Sequence, residues 1–209
     1  LTLGAGWASG INLYAAILVI GFMGATGRLD LPEGLELLSD PLVMLAAGAM
    51  YVVEFFADKI PGVDTAWDTL HTFIRIPAGA MLAAGAVGDV GAGAELAAML
   101  VGGGMAAGTH AAKAGTRALI NTSPEPFSNW TASITEDLGV IGGLWLALNH
   151  PILFLIALVL FILLVGGVYS AFTIKKESQP KIETNYITVS MPFLGAAPED
   201  VEEGILIKV

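Results

Sequence analysis

Between Ala57 and Arg75 an otherwise aliphatic chain carries Asp58, Lys59, Asp64, Asp68, His71 and Arg75. From Asp64 the ionisable positions recur at steps of four, three and four, which sets Asp64, Asp68, His71 and Arg75 along one narrow stripe of a helix. Helical spacing also puts Glu54 and Asp58 on one face, His110, Lys113, Arg117 and Asn121 on another, and Glu125, Asn129 and Glu136 on a third. An unpaired charge in hydrocarbon costs roughly 3 kcal/mol or more, so these stripes are expected to face one another or water. Lys113 and Arg117 are the natural partners of Asp64, Asp68 and Glu136. The chemistry implied is a polar pocket or ion path between helices, with the carboxylates and His71 or His110 able to exchange protons. The competing reading places the same residues at a membrane–water boundary, with Lys and Arg snorkelling and the acids capping helix ends.

Other chemistries find little support. The chain has no cysteine, which excludes disulfides, thiolate nucleophiles and cysteine-based zinc or iron–sulfur centres. His71 and His110 lie in no tight ligand pattern, so neither a metal nor a cofactor is expected. There is no GxSxG, and an intramembrane acid–base enzyme built on His71 or His110 is the least favoured function. Gly102, Gly103 and Gly104 lack the strand context of a nucleotide loop and point to close packing or a kink. Trp67 and Trp130 are expected as interfacial anchors and His150 as a turn residue. Nothing suggests nucleic-acid binding.

The elements that must position the stripes follow from composition. With 55% hydrophobic residues, 13% charged residues and a mean hydropathy of +0.74 over 209 residues, the chain belongs to the membrane class, with the lipid bilayer as its first partner. The net charge of -10 is unevenly spread and says little about other partners. No basic segment precedes the first apolar run, so a cleavable signal peptide is not expected. That run, Leu3 to Ala25, is long enough to span a bilayer and is interrupted only by Ser9 and Asn12. An acidic connector leads to a second run, Leu42 to Ala57. Asp64 is the expected N-cap of a third helix that meets Pro77 and turns apolar through Val87. A fourth helix is expected over Ala94 to Asn121, a fifth ends near Leu148, and Pro151 to Phe172 is an uninterrupted span. A shift of 63 residues superposes Pro61 on Pro124 and Trp67 on Trp130, but five identities in an Ala- and Gly-rich chain do not establish a repeat. What remains is a pair of Pro-containing breaks, each followed by a polar and then an apolar half-helix, the usual pointer to a site near the membrane midplane.

The segment from Ala57 through Asp64 with Trp67, Asp68, His71 and Thr72, together with His110, Lys113, Ala114, Gly115 and Asn121 through Trp130, resembles a bacterial multi-pass membrane family known as domain-of-unknown-function family 4126. The likeness spans about Leu1 to Pro151 and implies no chemistry. Gly166 to Ser170, Phe172 to Ser178 and Ile187 to Ile205 are similar to the start of resistance–nodulation–division (RND) efflux permeases. That likeness implies a periplasmic tail and an efflux-pump partner. Eight of the nine Lys and Arg residues share a side with the tail, which by the positive-inside rule is cytoplasmic. The conflict implies a re-entrant span, or a fused or truncated gene product.

The expected fold is an all-α integral membrane bundle of about six spans or broken and re-entrant helices over residues 1–172, followed over 173–209 by a short, truncated α+β porter-like tail. The expected function is binding or transport of a small solute or ion at a polar inter-helix site in the bacterial inner membrane. A non-transporting accessory or scaffold of an efflux system is the alternative, and the sequence specifies no oligomeric state.

Overall fold

Apolar runs punctuated by Gly, Pro and Asp become helices at nearly the expected places. The computed structural model describes residues 1–60, 62–122 and 127–174, with Gly195 and Glu199. Pro61, Pro124, Glu125 and most of the tail expected to be α+β over 173–209 lie outside them. The described residues form α1 (Thr2–Ala25), a 3-10 helix (Glu33–Ser39), α2 (Pro41–Ala57), α3 (Val63–Gly85), α4 (Ala92–Ile120), α5 (Phe127–Asn149) and α6 (Pro151–Thr173), with no strand among them. Residues 1–171 pack as one unit and residues 172–209 form a second.

Local chemistry accounts for the boundaries. Asp40 caps α2 by accepting from the amides of Leu42 and Val43 at 2.7 and 3.4 Å, and Pro41 supplies a first-turn residue that needs no donor. Asp64 is not the N-cap of α3. Gly62 holds that position with φ of 86°, and Asp64 reaches back from the first turn to accept from the Gly62 amide at 3.0 Å. Pro77 lies inside α3 without ending it, and α4 runs unbroken through Gly102 to Gly104. Packing explains the glycines: a Cβ on Gly102 would come within 2.9 Å of the Gly79 carbonyl and would strike Ala83. The backbones of α3 and α4 therefore approach as closely as small-residue membrane interfaces allow.

The burial pattern is inverted relative to a soluble protein. Along α3 the buried residues include Asp64, Asp68, His71 and Arg75, while Leu70, Phe73, Ile74 and Met81 are exposed. By length and composition, α1 and α6 can cross a membrane, and the 3-10 helix with α2, bent by 68°, could add a third crossing. α3 and α5 are each 23 residues and α4 is 29, long enough to reach across about 30 Å of hydrocarbon, but they carry the ionisable residues, most of them turned inward.

α1 does not run straight. Asn12 takes φ -145° and ψ 100°, an extended conformation that divides the run into two half-helices. A Cβ on Gly4 would touch Ala147 at 2.9 Å and Phe154 at 3.9 Å, while Phe22 and Met23 line one cavity with Trp145 and Asn149 of the same helix end. In a straight helix residues 4 and 23 would stand about 28 Å apart. Gly24 also adjoins Leu31 and Ser39, and Gly34 packs on Gly85, so both ends of α1 lie with the C-terminus of α3. α1 thus enters, turns at Asn12 and returns. The breaks expected around Pro61 and Pro124 fall between α2 and α3 and between α4 and α5, whereas α1 carries a discontinuity that was not expected: the first apolar run is two half-helices, each too short to span.

A candidate ion site at the tip of a broken helix

The tip of α1 meets the charged stripes of α2, α3, α4 and α5. Arg75, fully buried, donates from Nη2 to Glu54 Oε1 at 2.6 Å and from Nη1 to Asp68 Oδ1 at 3.0 Å. Lys113 Nζ donates to Asp58 Oδ2 at 2.9 Å, to the Ile11 carbonyl at 3.2 Å and to Glu54 Oε1 at 3.3 Å, with Glu136 Oε2 at 3.6 Å and Asp68 Oδ1 at 3.8 Å. Arg117 holds Glu136 bidentately, Nη2 to Oε2 at 2.7 Å and Nε to Oε1 at 3.1 Å, and donates to the Asp58 and Asn129 carbonyls. Four carboxylates, Glu54, Asp58, Asp68 and Glu136, share three cations, which leaves one negative charge over.

The rim is satisfied by neutral groups. Asn121 Nδ2 donates to both oxygens of Asp64, at 2.7 and 3.0 Å, and its own carbonyl accepts from Asn129 at 2.9 Å. Asp64 is therefore held by an amide and not by the Lys113 or Arg117 expected for it. The stripe on α3 runs from Asp64 at the helix end to Arg75, about 16 Å further along the helix axis.

Both histidines have assigned hydrogen-bond roles. The Thr72 hydroxyl donates to the Asp68 carbonyl at 3.0 Å, so it accepts from His110 Nε2 at 2.8 Å, and His110 Nδ1 accepts from Arg75 at 3.1 Å. His71 donates from Nδ1 to the Trp67 carbonyl at 2.9 Å and accepts from the Tyr14 hydroxyl at 3.0 Å. These partners assign opposite tautomers and present neither ring as a free base. Trp67 stacks on His71 at 4.3 Å between ring centres, while Trp130 is half exposed and His150 stands between α5 and α6. Among the described residues, no group of three or more His, Asp or Glu side chains is arranged to hold a metal ion.

Of the expected site residues that the structure describes, all but His71 join one hydrogen-bonded and ion-paired network, His71 bonding only Tyr14 and the Trp67 carbonyl, and the network adds others. Asp137 accepts from Asn12 Nδ2 at 3.0 Å and from the Tyr51 hydroxyl at 3.1 Å. Lys59 donates to the Phe55 carbonyl at 2.7 Å and to Ser133 at 3.1 Å, with its ammonium over the Phe55 ring. The spacing of Asn129, Ser133 and Asp137 in steps of four was the available signal for the α5 stripe. Asn12 sits in an apolar run and gave none.

Two cavities adjoin the network. One of about 150 Å³ between α3 and α4 is lined by Thr65, Asp68, Thr72 and Arg117. One of about 480 Å³ is lined by Trp7, Ile11, Lys113, Glu136 and Phe161, so α6 forms part of its wall. A third cavity, about 770 Å³ around Leu18, Phe22 and Trp145, is lined by none of the charged network.

Fold and site together define a helical membrane protein with its ionisable residues turned inward. The chain belongs to the family described as Domain of unknown function (DUF4126), whose model matches residues 1–170. That match continues past Pro151 through most of α6 and takes in Gly166 to Ser170, where the expected likeness to efflux permeases begins. No curated protein and no solved structure matches the chain.

Proposed function

We propose that the protein is a multi-pass protein of the cytoplasmic membrane that binds and conducts a small cation or a proton through the inter-helix site. The observation that carries this reading is the charge imbalance at the α1 break: four carboxylates share three cations, and Glu54 Oε2, Asp58 Oδ1 and Asp68 Oδ2 have no hydrogen-bond partner among the described residues. Leaving a buried charge unmatched costs about 3 kcal/mol, so a mobile positive charge is the expected complement. Re-entrant half-helices meeting at mid-depth are the usual means of presenting backbone carbonyls to ions. Cavities on two sides of the network supply approach routes.

Purified protein in proteoliposomes, loaded with potassium, sodium or a pH-sensitive dye, tests this. Wild type is expected to carry cation or proton flux, and Asp68→Asn or Glu136→Gln to reduce it at least about tenfold, the effect of roughly 1.4 kcal/mol at a charged site. Absence of flux for every ion, or full flux in both variants, would reject conduction and leave the accessory role in an efflux system to be tested by co-purification.

A further inference from the structure

Lys113 is surrounded as a bound cation would be. Its ammonium has five oxygens from four elements around it: the Ile11 carbonyl at 3.2 Å, Glu54 Oε1 at 3.3 Å, Asp58 Oδ2 at 2.9 Å, Asp68 Oδ1 at 3.8 Å and Glu136 Oε2 at 3.6 Å. An ammonium has three protons to donate, and they go to Ile11, Glu54 and Asp58. The other two oxygens contribute charge alone.

The carbonyl in this set exists because α1 breaks. In a continuous helix the Ile11 carbonyl would accept from the Ala15 amide. Here Asn12 Oδ1 takes that amide at 2.9 Å, which frees Ile11 at the C-terminal, electronegative end of the first half-helix. Three of the surrounding carboxylates also keep an oxygen with no hydrogen-bond partner among the described residues: Glu54 Oε2, Asp58 Oδ1 and Asp68 Oδ2, on residues 0%, 3% and 3% exposed. Each is bonded to the same carbon as an oxygen facing Lys113, so acceptor capacity at this point exceeds what the lysine can use. The cavity of about 480 Å³ that Lys113 borders gives its stem room to withdraw.

We propose that the oxygens around Lys113 Nζ form a site for a monovalent cation of ammonium size, potassium being the fitting ion, and that Lys113 is its tethered occupant, displaced when the free ion enters. This rests on the cation reading above. Potassium has nearly the size of ammonium and takes carbonyl and carboxylate oxygens alike. With Lys113 in place, no three of the described His, Asp or Glu side chains are arranged to hold a metal ion, so the ammonium must withdraw before a free ion can enter.

Removing the tether tests the idea in the purified protein. Thermal unfolding of wild type, Lys113→Ala, Lys113→Arg and Lys113→Ala with Asp58→Asn is followed in choline, sodium and potassium chloride at equal ionic strength. Lys113→Ala is expected to gain about 5 °C in excess potassium over choline, with less from sodium, while wild type and Lys113→Arg shift little. The double variant, with one carboxylate fewer, is expected to lose most of that response. A Lys113→Ala chain indifferent to potassium, or equally stabilised by all three salts, overturns the proposal. So does one that cannot be recovered folded from potassium-rich cells and buffer, because potassium would then have failed to replace the ammonium. If Lys113→Ala ignores potassium while Asp68→Asn still abolishes wild-type flux, the tethered-cation idea falls and conduction stands. If potassium stabilises Lys113→Ala but wild type carries no flux, the site stands and conduction falls.

Discussion

Arg75 is fully buried, and its guanidinium donates to Glu54, Asp68 and His110. Removing one member of a buried ion pair leaves the other charged and unmatched, which costs about 3–5 kcal/mol, whereas removing both charges together is far cheaper. Arg75→Met is therefore expected to lose about 3–5 kcal/mol in denaturant unfolding from mild detergent, and Glu54→Gln in the same chain to restore a large part. Arg75→Lys should not rescue, since a single ammonium cannot reproduce the forked contacts to two carboxylates. Equal stability of Arg75→Met and wild type would show that Lys113 already neutralises Glu54. The α3 and α4 stripes were legible in the sequence because charges in an apolar chain have few places to go and helical spacing says which of them go together. The pairing of Lys113 and Arg117 with Asp68 and Glu136 was legible too, but the partner of Asp64 was not, because Asn121 takes it through an amide that no charge count reveals.

At the scale of elements, Asn12 is the residue that makes α1 two half-helices. Its carbonyl caps the second half through the Ala15 amide, and its amide reaches Asp137. Asn12→Ala removes both bonds and allows the Ile11 carbonyl to return to Ala15, so Lys113 loses one of its three acceptors. The cap alone is worth about 1 kcal/mol. The expected outcome is a loss of about 1–2 kcal/mol with faster amide exchange over residues 13–16. Unchanged exchange there would mean that tertiary packing, and not the side chain, holds the break. The sequence places breaks by Pro and Gly, and that rule looks first to Pro77 and to Gly102 through Gly104. Yet α3 and α4 continue, since membrane helices tolerate both residues where neighbours pack closely. A single Asn within a run of sufficient length and apolarity reads as a minor interruption, and only its contact with Asp137, 125 residues on, turns it into a corner.

For the whole molecule the fold-back of α1 bears on the count of crossings. With both ends of α1 at one end of the bundle, the expectation of about six spans or broken and re-entrant helices narrows to a prediction of a re-entrant α1 followed by five passes, and the α2–α3 and α4–α5 turns share the opposite end, where Asn121 bonds Asp64. Lys59, Lys113 and Arg117 lie towards that end and Arg28 towards the other, so the prediction from the positive-inside rule is that the Lys59 end is cytoplasmic. A spanning α1 would put Thr2 and Asp30 on opposite sides of the membrane, whereas a re-entrant α1 puts them on the same side. The chain has no cysteine to interfere, so Thr2→Cys, Asp30→Cys, Ile60→Cys and Thr122→Cys can be labelled singly in intact cells with a membrane-impermeant reagent. Thr2→Cys and Asp30→Cys are expected to react from outside, and Ile60→Cys and Thr122→Cys only after the membrane is opened. Opposite labelling of Thr2→Cys and Asp30→Cys would mean that α1 crosses. The Ile11 carbonyl would then no longer stand at the end of a half-helix, and the cation site would lose the geometry that makes it one.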